Sequence, residues 1–264
     1  GGLPNRWENT AMINKFRQKK KLSAFGVMGN TGRVGLGWGE ERQYGDGGGI
    51  QTFVDDENGG MSMTYNADEF GGLDNYWGEG LPKAWQGGFT YGNKWNEDKN
   101  NFNGSYRFQK QGITGGSATN TQYILPDTQY LYNEKSNMAT SKFRHKANAS
   151  YEFAIDSFQS IKATANGSRT ENETNSTYYN ETLTPKGLYI NQSDRATSNN
   201  SITNNFNASA LWKKKFKKKG RTLSINFSEN NNDVNSSGFL FSCSTIWIEA
   251  CFGVCFIFCS TLSK

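Results

Sequence analysis

The sequence predicts an all-β protein whose antiparallel strands run up and down in succession and form part of a transmembrane β-barrel. The first observation is that apolar or aromatic residues alternate with polar ones through successive segments, which places each set on its own face of a strand. The second is that these segments form pairs with short connections, whereas the stretches between pairs are long. The third is a composition that suits a barrel with a wet interior.

The composition excludes a helical membrane protein. Of 264 residues only 34% are hydrophobic, the mean hydropathy is −0.76, and abundant Gly and Asn disfavour a large helical domain. A porin-type barrel remains compatible with these values, because only alternate residues of each strand face lipid while the lumen and loops are polar.

The predicted strands come as four hairpins. The first pairs residues 11–16 with 21–28 through a turn at 17–20. Residues 30–83 follow, a Gly-dense stretch with an acidic turn at 55–60, in which the strand register is not predictable. The other hairpins pair 84–95 with 99–110, 141–155 with 158–169, and 199–213 with 221–231. Strands of about 10 residues or more suit a tilted crossing of a bilayer.

About eight such strands predict either a small barrel or one arc of a larger one. In hydrocarbon every backbone N–H and C=O needs an internal partner, so the sheet has to close. An isolated arc would leave two edges unpaired, and we expect it to aggregate or misassemble when it is expressed alone.

Alternation assigns the side chains of each strand to lipid or to an aqueous lumen. The aromatic side chains expected to face lipid are Phe89, Tyr91, Phe102, Tyr106, Phe108, Tyr151, Phe206 and Phe227. The charged side chains expected to face the lumen and set its field are Arg107, Arg144, Lys146, Glu152 and Lys162. Swapping the two sets would place charge in hydrocarbon, which is costly.

Two further features predict how the barrel is oriented. Segments 111–140 and 170–198 are long and polar, and we expect them to be extracellular loops that meet a ligand, with the short turns in the periplasm. Four aromatic residues end strands near the short turns, as an aromatic belt at one membrane depth requires. They are Phe16, Trp95, Phe153 and Trp212.

A collinear set of segments resembles the barrel of gram-negative outer-membrane proteins akin to TonB-dependent receptors. The segments are 13–23, 81–95, 103–108, 123–128, 155–158 and 218–224, in matching order across roughly residues 5–240. The resemblance implies an outer-membrane receptor barrel of about 22 strands. It also implies an upstream plug and a carboxypeptidase-regulatory-like β-sandwich, which we expect to lie outside this chain.

The implied partners are therefore outer-membrane lipid, the remaining strands, the plug, and an energy-coupling protein acting through the plug. An extracellular ligand, whose identity the sequence does not give, completes the set. We expect residues 1–238 to form the partial barrel. Residues 239–264 are apolar and contain all four cysteines; we interpret them as a frameshift or truncation artefact, with a transmembrane helix as the alternative.

No chemistry beyond binding is predicted. His145 has no orienting acid or nucleophile nominated beside it, and the acidic turn at 55–60 lacks the spaced ligands of a calcium loop. The lysine runs at 19–21 and 213–219 fall at hairpin connections, where solvated charge is usual. The sequence thus predicts no enzyme, no catalytic, cofactor or metal site, and no nucleic-acid partner.

Two alternatives stay open. A secreted or surface β-sandwich adhesin also alternates and would bind glycan or protein through Tyr- and Asn-rich loops. A complete small outer-membrane barrel that transports nothing is the other.

Overall fold

The computed structural model describes residues 5–32, 50–55, 60–65, 80–126, 128–218, 220–248 and 254–263. Every regular element in these ranges is a β-strand. Nine strands of these ranges form one antiparallel sheet in which strands that follow each other along the chain are neighbours, and the third and fourth strands form a separate hairpin inserted between the second and the fifth. Within the described residues, no helix is long and apolar enough to cross a bilayer.

The strand bounds follow the chain in order. They are β1 Glu8–Arg17, β2 Lys20–Gly29, β3 Ile50–Asp55, β4 Gly60–Tyr65, β5 Leu81–Trp95, β6 Asn100–Ile124, β7 Gln129–Asp156, β8 Gln159–Leu183, β9 Tyr189–Lys215, β10 Thr222–Ile248 and β11 Val254–Ser263. The all-β, up-and-down prediction is confirmed, and each of the four predicted hairpins is an antiparallel pair. The sheet is not closed among the described residues, since β1 pairs with β2 alone and β11 with β10 alone.

Local chemistry explains the short turns. Asn96, Glu97 and Asp98 all have positive φ, between 55° and 66°, and Asn and Asp are among the residues that tolerate this region best. The Asp156 carboxylate accepts a 2.7 Å hydrogen bond from the backbone N–H of Phe158, as in an Asx turn. Neighbouring turns are also joined, because Lys19 lies 2.8 Å from Asp98.

The prediction that 111–140 and 170–198 are loops is wrong. Backbone pairing between β6 and β7 continues to Ile124 and Gln129, and pairing between β8 and β9 continues to Leu183 and Tyr189. Polar residues sustain these extensions by cross-strand bonds. Examples are Ser117 to Ser136 at 2.8 Å and Asn133 to Glu181 at 3.0 Å. The strands are held together by backbone hydrogen bonds, which form whether the side chains are polar or apolar. Because the side chains here are polar on both faces, the sequence shows no alternation of apolar with polar residues.

The apolar tail is also part of the sheet. Residues 239–248 continue β10, and 254–263 form β11 against them. The helix alternative for this tail is therefore wrong for the described residues. Cys243 is disulfide-bonded, and the residue directly opposite it in the register is Cys259.

The short turns are staggered across the sheet. A single cross-strand row joins Trp95, Asn100, Phe153, Ile161 and Trp212. This row is the end of β5, but β7 continues to Asp156 and β9 to Lys215. The last pair of the first hairpin, Arg17 with Lys20, lies on the row of Asn93 and ends before it. The offset therefore grows from the first hairpin to the third and is equal in the third and fourth. An offset of strand ends is typical of strands tilted relative to a barrel axis.

Candidate functional site: an exposed aromatic face and a polar face

All eight aromatic residues predicted to face lipid lie on one face of the sheet. Residues directly opposite each other in an antiparallel pair share a face, and Phe89 lies opposite Tyr106 while Phe102 lies opposite Tyr151. The strand pairing places the other four residues on the same face. They are Tyr91, Phe108, Phe206 and Phe227. We call it the aromatic face. Ring centroids of Phe89 and Tyr106 are 5.8 Å apart, and Trp95 stacks on Tyr151 at 6.1 Å.

The aromatic face is uncovered. Phe227 is 77% exposed and Phe89 is 50% exposed. Among the described strands, substantial contacts occur only between hydrogen-bonded neighbours, so no second layer of sheet packs on these rings. A soluble β-sandwich buries its apolar face against such a layer, and the described strands provide none.

The opposite, polar face is buried where it crosses β2, β5 and β6, and at Arg144 on β7. Ser23, Gln86 and Gln109 are at most 4% exposed, and they occupy positions that alternate with the aromatic ones. Buried apolar side chains on this face are few, with Phe25 and Val27 forming a small cluster. Burial is thus reversed relative to an ordinary soluble sheet, in which apolar side chains are the buried ones.

The five predicted lumen residues all lie on the polar face. Arg107 is directly opposite Lys146, and Glu152 is directly opposite Lys162. Arg107 and Arg144 are 5% and 7% exposed, and the Arg107 guanidinium lies 5.7 Å from the centre of the Phe25 ring. The register thus brings the basic side chains Arg107, Arg144 and Lys146 together on neighbouring positions of β6 and β7. That it faces a lumen stays a prediction.

Three of the four predicted belt residues lie together. Trp95, Phe153 and Trp212 are in the one row described above and share the aromatic face. Phe16 does not, because it is opposite Lys21, whose row meets β5 at Gly92 on the polar face. The Phe16 assignment is therefore corrected. The first hairpin is short and poorly alternating, so its face depends on long-range register, which a local pattern does not contain.

His145 belongs to the aromatic face. Its Nδ1 lies 2.6 Å from the Tyr106 hydroxyl, and its ring packs edge-on against Phe143 with centroids 4.2 Å apart. Arg169 is the directly opposite residue on β8. Within the described ranges, no three His, Cys, Asp or Glu side chains converge as a metal site.

The strand extensions carry a tyrosine cluster that the sequence reasoning missed. Tyr123 stacks on Tyr130 at 4.7 Å, the Tyr132 hydroxyl donates to Glu134 at 2.6 Å, and the Arg195 guanidinium lies 4.4 Å from the centre of the Tyr178 ring. The register places these side chains on the polar face. The signal available was the recurrence of Tyr at alternate positions, as at 130 and 132, within segments interpreted as loops.

A second polar network lies on the aromatic-face side of the same extensions. Glu181 accepts hydrogen bonds from Asn133 at 3.0 Å and from the Tyr179 hydroxyl at 2.9 Å. These two bonds lower the pKa of the Glu181 carboxyl. Burial, followed by the bond to Glu181, raises the pKa of Tyr179 to about 12. The network therefore joins β7 to β8 well beyond the aromatic rows.

The Tyr179 network predicts a pH dependence. Because its folded pKa of about 12 exceeds the ordinary 10.0, Tyr179 contributes stability below pH 10 that is lost as pH rises towards 12. We expect a phenolate absorbance difference between native protein and Tyr179→Phe to show one group titrating near 12. Glu181→Gln should lower that pKa only in part, since burial is the larger cause. A group titrating at its ordinary value would show that the network does not form.

Comparison with known proteins adds no family assignment. No protein-family model matches the chain, and no curated protein is similar to it. The resemblance to TonB-dependent receptor barrels therefore stays a prediction from the segments quoted above.

Proposed function

We propose that this chain is part of the wall of an outer-membrane β-barrel of TonB-dependent receptor type, acting in uptake or surface binding of a nutrient. The observation that carries the proposal is the reversed burial: an exposed face of aromatic side chains with no covering layer among the described strands, opposite a polar face that is buried over three strands. Lipid is the solvent in which such a face is stable.

The dimensions support the same proposal. On β6 the aromatic-face positions from Asn100 to Phe108 include no charge, and the first charged one is Lys110. Ten residues of strand rise about 33 Å, which at the usual tilt is roughly the 25 Å of an outer-membrane apolar band.

In this proposal the two unpaired edges meet the remaining strands of the parent barrel, and the plug and its energy-coupling partner lie elsewhere in the protein. The polar faces of the extensions, at 111–140 and 170–198, form an extracellular rim. The Tyr123, Tyr130, Tyr132 and Tyr178 cluster then offers the extracellular ligand a set of rings with nearby charge. Tyrosine suits such a surface, because it combines a large apolar ring with a polar tip. The proposal contains no catalytic step.

A lipid photo-crosslinking experiment tests the membrane assignment. A benzophenone amino acid is placed at Tyr151 on the aromatic face, or at the adjacent Glu152 on the polar face, of the full-length protein in outer membranes. We expect crosslinks to phospholipid from position 151 and none from 152. A soluble adhesin would give crosslinks from neither position, and equal crosslinking from both would contradict the assignment of faces.

A further inference from the structure

The aromatic face becomes polar on β10, two strands from β8. Beyond Phe227, polar side chains occupy four successive positions of this face. They are Glu229, Asn231, Asp233 and Asn235. Both carboxylates are exposed, and within the described residues neither has a basic partner, although Asp233 accepts a 3.1 Å hydrogen bond from Asn235. A charge directed at acyl chains is costly, so this part of β10 needs a covering other than lipid.

A basic side chain lies at a matching level on β6, two strands away on the other side of β8. Lys110 is ten residues from the start of β6 at Asn100, and Asp233 is eleven residues from the start of β10 at Thr222. Both strands start at a short turn, so in a barrel of tilted strands these positions have nearly the same membrane depth. Lys110 is exposed on the aromatic face, opposite Trp85. The wall therefore presents opposite charges at one level on the two sides of β8.

Small side chains occupy the aromatic face between these two strands. Five alanines on β7, β8 and β9 floor a trough of about 620 Å³. They are Ala149, Ala163, Ala165, Ala208 and Ala210. The lining of the trough also includes Phe102 and Tyr151 towards β6, and Phe227 and Glu229 on β10. Small residues at the contacts of membrane helices let the backbones approach closely, and the same steric reason makes this trough the place where two convex walls can meet.

We propose that two copies of this chain associate through this surface, with β8 of each copy beside a two-fold axis along the membrane normal. The inference rests on the proposed barrel function. A two-fold interface brings together the same patch of both copies. Because β6 and β10 each lie two strands from β8, β6 of one copy then faces β10 of the other. Asp233 pairs with the partner's Lys110, and the symmetric contact pairs Lys110 with the partner's Asp233.

The same arrangement supplies Glu229 with a hydrogen-bond donor. Glu229 is seven residues from the start of β10, and Tyr106 is six residues from the start of β6, so Glu229 faces the partner's Tyr106. The Tyr106 hydroxyl lies 2.6 Å from Nδ1 of His145. When Nδ1 carries the hydrogen of that bond, the hydroxyl hydrogen is left for the carboxylate. Single copies, which are in equilibrium with the dimer, present the whole aromatic face to lipid.

Energy transfer between donor-labelled and acceptor-labelled copies of the full-length protein in phosphatidylcholine vesicles measures the association. Asp233→Lys and Lys110→Asp should each weaken the dimer roughly tenfold, because an exposed ion pair contributes up to about fivefold and the interface contains two. Mixing the two variants should restore native association, since the basic copy and the acidic copy then complement each other at both contacts. Asn232→Lys is the matched control. Asn232 lies opposite Asn205 on the polar face, so its replacement should leave the dimer unchanged.

A variant of the trough tests the same interface without changing a charge. Ala165→Phe keeps the face apolar but places a ring beside the axis, and we expect normal insertion with severalfold weaker association. Charge and trough variants that associate as tightly as native protein overturn the dimer, as does native protein that inserts without energy transfer. Both results leave the barrel proposal standing. Failure of native protein to insert at all overturns the barrel proposal instead.

Discussion

Replacing Ala149 with arginine is expected to destabilise the membrane-assembled protein by about 2–4 kcal/mol, the cost of a cation on the lipid face near the midplane of a barrel. Ala149 is exposed on the aromatic face of β7. It lies midway along β7 between His145 and Phe153, which is on the row of Trp95. A shift of this size lowers the ratio of folded to unfolded protein roughly 30- to 900-fold. It is measured as folded, protease-resistant protein recovered from outer membranes.

The adjacent residue supplies the control for this prediction. Ser150 is also small, but it lies on the polar face, opposite Asn103 and Thr164. Ser150→Arg places the same cation in polar surroundings and is expected to assemble almost normally. The two variants, Ala149→Arg and Ser150→Arg, change small residues on the same strand at nearly the same depth. They therefore differ mainly in the face of the sheet that receives the charge. Equal recovery of the two variants would mean that the aromatic face does not contact lipid.

The hairpins and their faces could be predicted because both signals are local. Turn residues such as Asn96 and Asp98 adopt positive φ, a preference that belongs to the residue itself. The alternation around Tyr106 or Tyr151 is read directly in the sequence, and it survives because each side of the strand meets a different environment. The predicted faces of thirteen residues therefore required no knowledge of which strands pair.

The strand extensions could not be predicted from the same signal. Thr140 and Thr174 face each other across β7 and β8 with hydroxyl oxygens 3.4 Å apart, in a region where both faces are polar. Apart from the alternate tyrosines at 130 and 132, no alternation of apolar with polar residues continues through these stretches. The register that continues there is set by the preceding rows, which is long-range information. The tyrosine cluster and the Tyr179 to Glu181 bond depend on that register, so they were equally hidden.

The polar face contains one position where even a methyl group is excluded. A Cβ added at Gly88 would lie 2.7 Å from the backbone oxygen of Tyr106, 2.9 Å from the Phe25 ring and 3.0 Å from the Arg107 side chain. The first neighbour is backbone, and Phe25 is buried, so neither moves freely. We expect Gly88→Ala to destabilise the protein by about 1–3 kcal/mol, the usual cost of overpacking.

Thermal loss of the folded, protease-resistant form measures this effect in the full-length protein. Gly112→Ala is the matched change on the neighbouring strand β6, where an added Cβ has nothing within 4 Å. That control should be neutral or more stable by up to roughly 1 kcal/mol, because alanine has less unfolded-state freedom than glycine. If Gly88→Ala and Gly112→Ala lose the folded form at the same temperature, the space beside Gly88 is not closed by Phe25 and Arg107 as it is in the structure. That result would contradict the close packing of the polar face on β2, β5 and β6. The membrane proposal depends on the burial of this face, so it would be weakened as well.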